Sequence, residues 1–204
     1  MKILLLYGGG IDSSTLLVQL ARWYTTKNVE AIFFDYGQKA AELEAKSCQF
    51  FCDSYGVKLT IVKVPLNALT DSAIMNGSVL ANDPSINVLD GRNMTFISIA
   101  AIYAAKIGAD NIAVGYHIEP AARPFPDASP EFLQAINKLL PQALIHKVEV
   151  VAPFADMTRK QIFELAKRLD FRILELAHTC YEDVPGGCGQ CTHCKVKEEL
   201  TCVA

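Results

Sequence analysis

The sequence has few of the features that would place it at a membrane, outside the cell or on a nucleic acid. No apolar run approaches the ~18 residues that a spanning helix needs, and the short run 1–7 ends in glycines before it could serve as the core of a secretion signal. A soluble, cytoplasmic protein is the expectation. Basic charge is also scarce: 19 Lys and Arg against 22 Asp and Glu give a net charge of −3, and Lys195 with Lys197 is the one small basic cluster, so the footprint of a duplex-binding protein is missing. There is no internal repeat, no low-complexity tract and no linker rich in Pro, Gly and Ser. What remains is a chain of 204 residues, 51% hydrophobic, which is long enough for one domain with a full core. The seven cysteines are an odd number, and four of them crowd one segment near the C-terminus. Without an export signal, that pattern points to metal before disulfides.

Apolar runs of strand length alternate with longer helical patterns, as in a doubly wound parallel α/β sheet. Strands are expected over 3–7, 29–34, 58–64, 111–115 and 147–151. Helices are expected over 12–24, with Leu16, Leu17, Leu20 and Trp23 at helical spacing, and over 40–55, 93–107, 130–140 and 158–169. Gly56 and Gly108 stand where two of these helices should stop. The polar stretch 66–90 reads as a mobile loop near the ligand. Two parts follow: a nucleotide-binding α/β domain over 1–175 and a metal-binding segment over 176–204.

Between the first strand and the first helix lies Gly8-Gly9-Gly10-Ile11-Asp12-Ser13-Ser14. Glycines there let the backbone approach phosphate oxygens at a helix N-terminus, and Ser13, Ser14 and Thr15 add hydroxyl donors. Asp12 would repel phosphate unless a cation stood between them, so it reads as a helix N-cap or as a Mg²⁺ contact. The glycine spacing fits neither the Walker loop, which needs a following Lys, nor the dinucleotide fingerprint. A tight turn without a ligand is the competing reading.

Cys180, Cys188, Cys191 and Cys194 form C-x7-C-x2-C-x2-C, with Gly186, Gly187 and Gly189 loosening the backbone. Four thiolates suit a closed, structural Zn²⁺ site, and an iron–sulfur cluster also takes four cysteines. His178 and His193 read as surface or supporting histidines. Cys48 and Cys52 read as core residues and Cys202 as part of a frayed tail.

The glycine turn resembles the S-G-G-x-D-S loop of the PP-loop ATP pyrophosphatases, with Gly8 in place of Ser. Taken with Asp35-Tyr36-Gly37-Gln38, Gly91-Arg92-Asn93, Pro126-Asp127 with Phe132 beyond it, and Thr179-Cys180-Tyr181 before three further cysteines, the order resembles the 7-cyano-7-deazaguanine synthase family (QueC) over nearly the whole chain. That resemblance implies an enzyme that adenylates 7-carboxy-7-deazaguanine with ATP, makes the amide with ammonia and dehydrates it to the nitrile with a second ATP.

Carried over by position, it implies that Gly8, Gly9, Gly10, Asp12, Ser13 and Ser14 hold ATP phosphates and Mg²⁺, and that Asp35, Tyr36 and Gln38 line the adenosine side. Arg92 and Asn93 would face the triphosphate or the substrate, with Asp12, Ser13 and Arg92 closest to the chemistry. Gly115, Phe125, Asp127 and Phe132 would meet the deazapurine. It further implies a zinc site made by the four clustered cysteines, and a homodimer. Lys39, Lys63 and Arg159 are further phosphate candidates that compete with a reading as solvated surface charge.

The chain departs from the family at Gly8, at Ala40 for a His, at Asp90 for a Pro, at Ala128 and Ser129 for Cys and Arg, at Arg159 for a Lys and at Lys197 for an Arg. Because most of the departures fall on the acceptor side, a second reading keeps the adenylation but passes the deazapurine acyl group to another amine, for instance on a protein in an antiviral system. A third reading, a zinc-knuckle module on single-stranded nucleic acid, is disfavoured by the acidic balance.

Overall fold

The computed structural model describes residues 1–70, 72–75, 89–117 and 126–202. The first apolar run becomes β1 (Ile3–Leu6) and the next β2 (Val29–Asp35). They are joined through α1 (Ile11–Trp23). α2 (Ala41–Tyr55) leads to the edge strand β3 (Lys58–Lys63), after Gly56 closes the helix in a left-handed conformation at φ 64°. The chain then crosses back through α3 (Arg92–Ile107) to β4 (Asn111–Ala113) and through α4 (Pro130–Ala143) to β5 (Glu149–Val151). α5 (Arg159–Leu169), the short α6 (Arg172–Leu176) and α7 (Thr192–Cys202) complete the described chain.

All four strand pairings are parallel, in the order β3-β2-β1-β4-β5. The expected doubly wound α/β sheet is therefore the fold. Alternation along the strands divides the core in two. Ile3, Leu5, Tyr7, Ala31 and Phe33 pack with α1, α2 and α5 on one face, while Leu4, Ile32 and Phe34 pack with α3 and α4 on the other. Burial on both faces explains why the central strands read as continuous apolar runs. The chain reverses its direction of winding between β1 and β4. The crevice at the carboxyl ends of those two strands is where such sheets bind ligands.

Several details differ from the sequence reading. Strand and helix ends shift by one to three residues. Trp23, expected on the apolar stripe of α1, is 60% exposed because the stripe ends at Leu20 and the helix runs past the core. α6 and α7 go beyond the expected helices: α6 has only five residues, too few to show a helical period, and α7 is short and mostly polar. Cys202 is the last residue of α7 and does not lie in a tail beyond it. Most of the expected mobile loop, 76–88, lies outside the described residues, as does Phe125. Among the described residues no helix is long and apolar enough to cross a membrane.

Candidate functional site

At the crevice between β1 and β4 is a cavity of about 320 Å³. Its floor is the glycine turn. Gly10 caps α1 in an extended conformation, so Asp12 sits in the first helical turn and the N-cap reading of Asp12 falls away. Gly9 has φ +74°, and a Cβ there would stand 2.6 Å from the Glu44 carbonyl oxygen, so the turn and the start of α2 meet only through a glycine. Ser47 Oγ and His178 N both donate to the Gly9 oxygen, at 2.8 and 3.0 Å. Gly8 is different: it is exposed, and a Cβ would meet nothing within 4 Å.

Of the three expected hydroxyl donors only Ser13 lines the cavity. Ser14 turns into the core, where its Oγ lies 2.9 Å from the Tyr7 hydroxyl, and Thr15 donates back to the Ile11 carbonyl at 2.7 Å. Both are fully buried. The parity of β1 decides this: Tyr7 points to the same sheet face as Leu5 and claims the hydroxyl that helical spacing places beneath it.

The flank beyond β2 is a closed polar network on an aromatic ledge. The Phe34 and Phe96 rings stack with centroids 4.6 Å apart, and Tyr36 tilts against Phe96 at 5.2 Å. Gln38 accepts from Tyr36 N at 2.9 Å and donates to the Phe34 carbonyl at 3.2 Å and to Glu44 Oε2 at 2.8 Å. Burial pushes the Glu44 carboxyl up to about 7 against the opposing pull of the Gln38 hydrogen bond and the Arg92 charge. Arg92, first residue of α3, donates from Nη1 to the Tyr36 hydroxyl at 3.0 Å and lies 5.8 Å from that ring's centroid. Asp35 does not line the cavity. Its Oδ1 accepts from Gly37 N at 3.2 Å.

On the β4 flank, Gly115 brings the chain against α1, where a Cβ would lie 3.4 Å from Ser13 N. Gly115 and Asn93 line the cavity, whereas Asp127 and Phe132 do not. Asp127 holds the start of α3: Oδ2 accepts from Asn93 N at 2.9 Å and Oδ1 from Asn93 Nδ2 at 3.3 Å. This replaces the side-chain cap that the left-handed Gly91 cannot supply. Phe132 packs in the core on the α3 face. Ser129 caps α4, accepting from Phe132 N at 3.0 Å. Tyr116, unnoticed in the sequence, lines the cavity, and its hydroxyl is buried without a hydrogen-bond partner among the described residues.

The remaining wall comes from the cysteine segment. His178, Thr179, Tyr181 and His193 all face the cavity. His193 Nδ1 lies 3.0 Å from the Thr179 carbonyl, which can only accept. That fixes the proton on Nδ1 and leaves Nε2 to accept from the Tyr181 hydroxyl at 3.1 Å. His193 is thus neither a surface histidine nor a ligand of the cluster. Below this wall a smaller hollow of about 30 Å³ brings Arg159 and Lys197 beside Asp12. Asp12 Oδ2 lies 3.6 Å from His117 Nε2, which is 3.5 Å from Arg159. Lys39 forms an ion pair with Glu182 of the cysteine segment at 2.9 Å, whereas Lys63 is a solvated charge, 83% exposed.

The sulfurs of Cys180, Cys188, Cys191 and Cys194 all lie within 4.8 Å of one another, with Cys180 and Cys191 at 3.9 Å and Cys188 and Cys194 at 4.0 Å. A tetrahedral ion with metal–sulfur bonds of ~2.3 Å needs sulfur separations of about 3.8 Å. Backbone N–H groups of Glu182 and Cys188 point at the Cys180 sulfur, both at 3.3 Å, as thiolates require. The donor set fits a single soft metal ion. Cys48 and Cys52 are fully buried core residues, as expected.

The model of the family described as queuosine biosynthesis protein QueC matches residues 2–200. Among solved structures, the chain is similar to the U34-tRNA thiolase NcsA from Methanococcus maripaludis with its 4Fe-4S cluster, with a TM-score of 0.55 and 15% identity over 100% of this chain and 65% of that one. It is also similar to an NH3-dependent NAD synthetase from Campylobacter jejuni subsp. jejuni NCTC 11168 in complex with nitrate, with a TM-score of 0.49 and 16% identity over 83% of this chain and 64% of that one. The chain therefore spans just under two thirds of the length of either. At 15% identity, the likeness to the thiolase is one of fold.

Proposed function

The chain belongs to the family of the queuosine biosynthesis protein QueC, and from that premise we propose that it is an ATP-dependent synthase acting on 7-carboxy-7-deazaguanine. In this reading a carboxylate oxygen attacks the α-phosphorus of ATP, pyrophosphate leaves, and ammonia displaces AMP from the acyl adenylate to give the amide. The amide oxygen attacks the α-phosphorus of a second ATP, and pyrophosphate leaves again. Loss of AMP and protons then yields the nitrile, 7-cyano-7-deazaguanine.

The observation that carries the reading is a cavity at the reversal of the sheet, floored by a glycine turn and a helix N-terminus and lined by a half-buried arginine. The Phe34–Phe96–Tyr36 ledge suits an adenine ring, with Gln38 fixing the backbone beside it. Backbone N–H groups of the turn and Ser13 suit the phosphates, and Arg92 suits the charge that develops on leaving pyrophosphate. Asp12 would hold Mg²⁺, a hard cation that takes oxygen ligands and offsets phosphate charge. Arg159 and Lys197 stand where a terminal phosphate could reach them.

We assign Zn²⁺ to the four cysteines. The sulfur spacing supports one ion, since a four-iron cluster spreads its cysteines over four separate metals. A homodimer in the cytoplasm and the division at residue 175 rest on the resemblance and on composition.

One observation favours the second reading, transfer to a different amine. Ser129 stands where the family carries an arginine and is engaged in capping α4, so the β4 flank has lost a cation. The test is mass spectrometry of the products formed from ATP, Mg²⁺, 7-carboxy-7-deazaguanine and ammonium. AMP together with the nitrile is expected. AMP with the adenylate or amide alone would move the reading to another acceptor, and no acid-dependent AMP would overturn both.

A further inference from the structure

We propose that the Tyr116 hydroxyl reads the acid substrate, donating a hydrogen bond to the carboxyl oxygen that does not attack ATP, beside the Arg92 guanidinium. The assignment rests on the adenylating reading above and deepens it by naming the group that selects the acid.

Tyr116 follows Gly115 at the end of β4, where the glycine lets the chain run against the first turn of α1. Its ring packs against the core on the α3 face, so the side chain is held by its apolar edge. The residue lines the cavity, and its hydroxyl, at the buried end of the ring, has no hydrogen-bond partner among the described residues. A buried polar atom left unmatched in this way costs stability, and native structures keep few of them. When one lies in the wall of a ligand cavity, the missing partner is most simply an atom of the ligand.

The neighbours narrow that atom's chemistry. Among the described residues the charges that act on the phenol are Asp127, of the turn before α4, and Arg92 of α3, which lines the same cavity. Both Asp127 oxygens are already held by Asn93, so the carboxylate is committed to the helix start. Burial raises the phenol above its ordinary range, so it remains an O–H donor at neutral pH. An uncharged donor in the same cavity wall as a guanidinium suits an anionic oxygen. On the β4 flank, away from the ledge assigned to adenine, the anionic oxygen of this reaction is the acid's carboxylate.

The same contact serves both halves of the reaction. As one carboxylate oxygen bonds to the α-phosphorus and the bond to the leaving pyrophosphate breaks, the other becomes the carbonyl oxygen of the mixed anhydride and keeps its hydrogen bond. When the amine adds to that carbonyl, the oxygen takes the electron pair as an oxyanion, and the bond from Tyr116 strengthens. Collapse expels AMP, and the amine's proton passes to solvent.

The experiment is calorimetric titration of 7-carboxy-7-deazaguanine, and separately of a non-hydrolysable ATP analogue, into the wild-type protein and Tyr116→Phe, with melting temperature and AMP formation read on both. The substitution should weaken acid binding about 10- to 100-fold. The analogue's affinity should stay within about twofold and the melting temperature should be equal or higher, since an unmatched hydroxyl has been removed. Unchanged acid affinity overturns the assignment, and so does a lowered melting temperature with both ligands weakened, the mark of a structural role. A wild type that binds the acid through Tyr116 yet makes no AMP keeps the assignment and removes the synthase reading. A wild type that does not bind the acid removes both.

Discussion

The two flanks of the cavity are built on different plans. Beyond β2, the polar groups are matched within the protein: Gln38 bonds Tyr36, Phe34 and Glu44, and Arg92 bonds Tyr36. Beyond β4, the buried hydroxyl of Tyr116 has no hydrogen-bond partner among the described residues, and Asp127 is engaged in starting a helix. The first flank is organised before any ligand arrives, so binding there costs little reordering. The second is completed by what it binds. In the proposed reading ATP occupies the first flank and the acid is selected at the second.

The comparison can be broken most severely at the point both flanks share. Gly9→Ala places a Cβ 2.6 Å from the Glu44 carbonyl at a left-handed φ. It should cost about 2–5 kcal/mol of stability and abolish binding on both sides. Differential scanning fluorimetry and ligand titration would show it; a stable variant that still binds the ATP analogue would mean that the turn and α2 can move apart without loss.

The β2 flank alone is probed by Glu44→Gln, which keeps the acceptor for Gln38 and removes the charge. The Glu44 carboxyl is raised from 4.5 to about 7 in the folded chain, so the folded state holds the extra proton. Stability from this group is full below pH 4.5 and is lost as pH rises towards 7. The variant should therefore match the wild type at the acid end of that window and exceed it at the neutral end by something on the order of 1–3 kcal/mol. Parallel melting curves across that window would place the buried charge elsewhere.

On the β4 flank, Asp127→Ala removes both bonds to Asn93. It should cost about 1–2 kcal/mol through the loss of the α3 start, with acid affinity changed no more than the melting temperature explains. A large loss of acid affinity without destabilisation would return Asp127 to the substrate. The smallest effect is expected of Gly8→Ser. The added side chain meets nothing within 4 Å. Stability should change by less than ~0.5 kcal/mol while the affinity for the ATP analogue rises up to severalfold through one new hydroxyl. A fall in that affinity would show that the glycine itself is needed.

Much of this was legible in the sequence where the signal is local. Strand alternation, helix stops at Gly56 and Gly108 and the glycine turn all depend on near neighbours, and each lies where it was expected. Gly8, Gly10, Asp12, Ser13, Tyr36, Gln38, Arg92 and Asn93, all from quoted motifs, line the cavity, as does Gly115 at the end of β4. What escaped depends on contacts across the fold. Ser14 faces Tyr7 because of strand parity, and Asp127 meets Asn93 34 residues away. Glu44 looks like any helix-surface acid until α2 is docked against Gly9. Tyr116 follows a strand with no motif of its own. His193 looks like a companion of the cysteines until its ring is seen 4.4 Å from Tyr181 in the cavity wall.

The bond from His178 N to the Gly9 carbonyl joins a part of the chain made early to a part made late. During synthesis the glycine turn emerges first, yet the wall formed by Thr179, Tyr181 and His193 cannot close over it until the cysteine segment has left the ribosome. An ion held by the four thiolates, as proposed, would tie that wall together through Cys180, Cys191 and Cys194, which flank Thr179, Tyr181 and His193 in the chain.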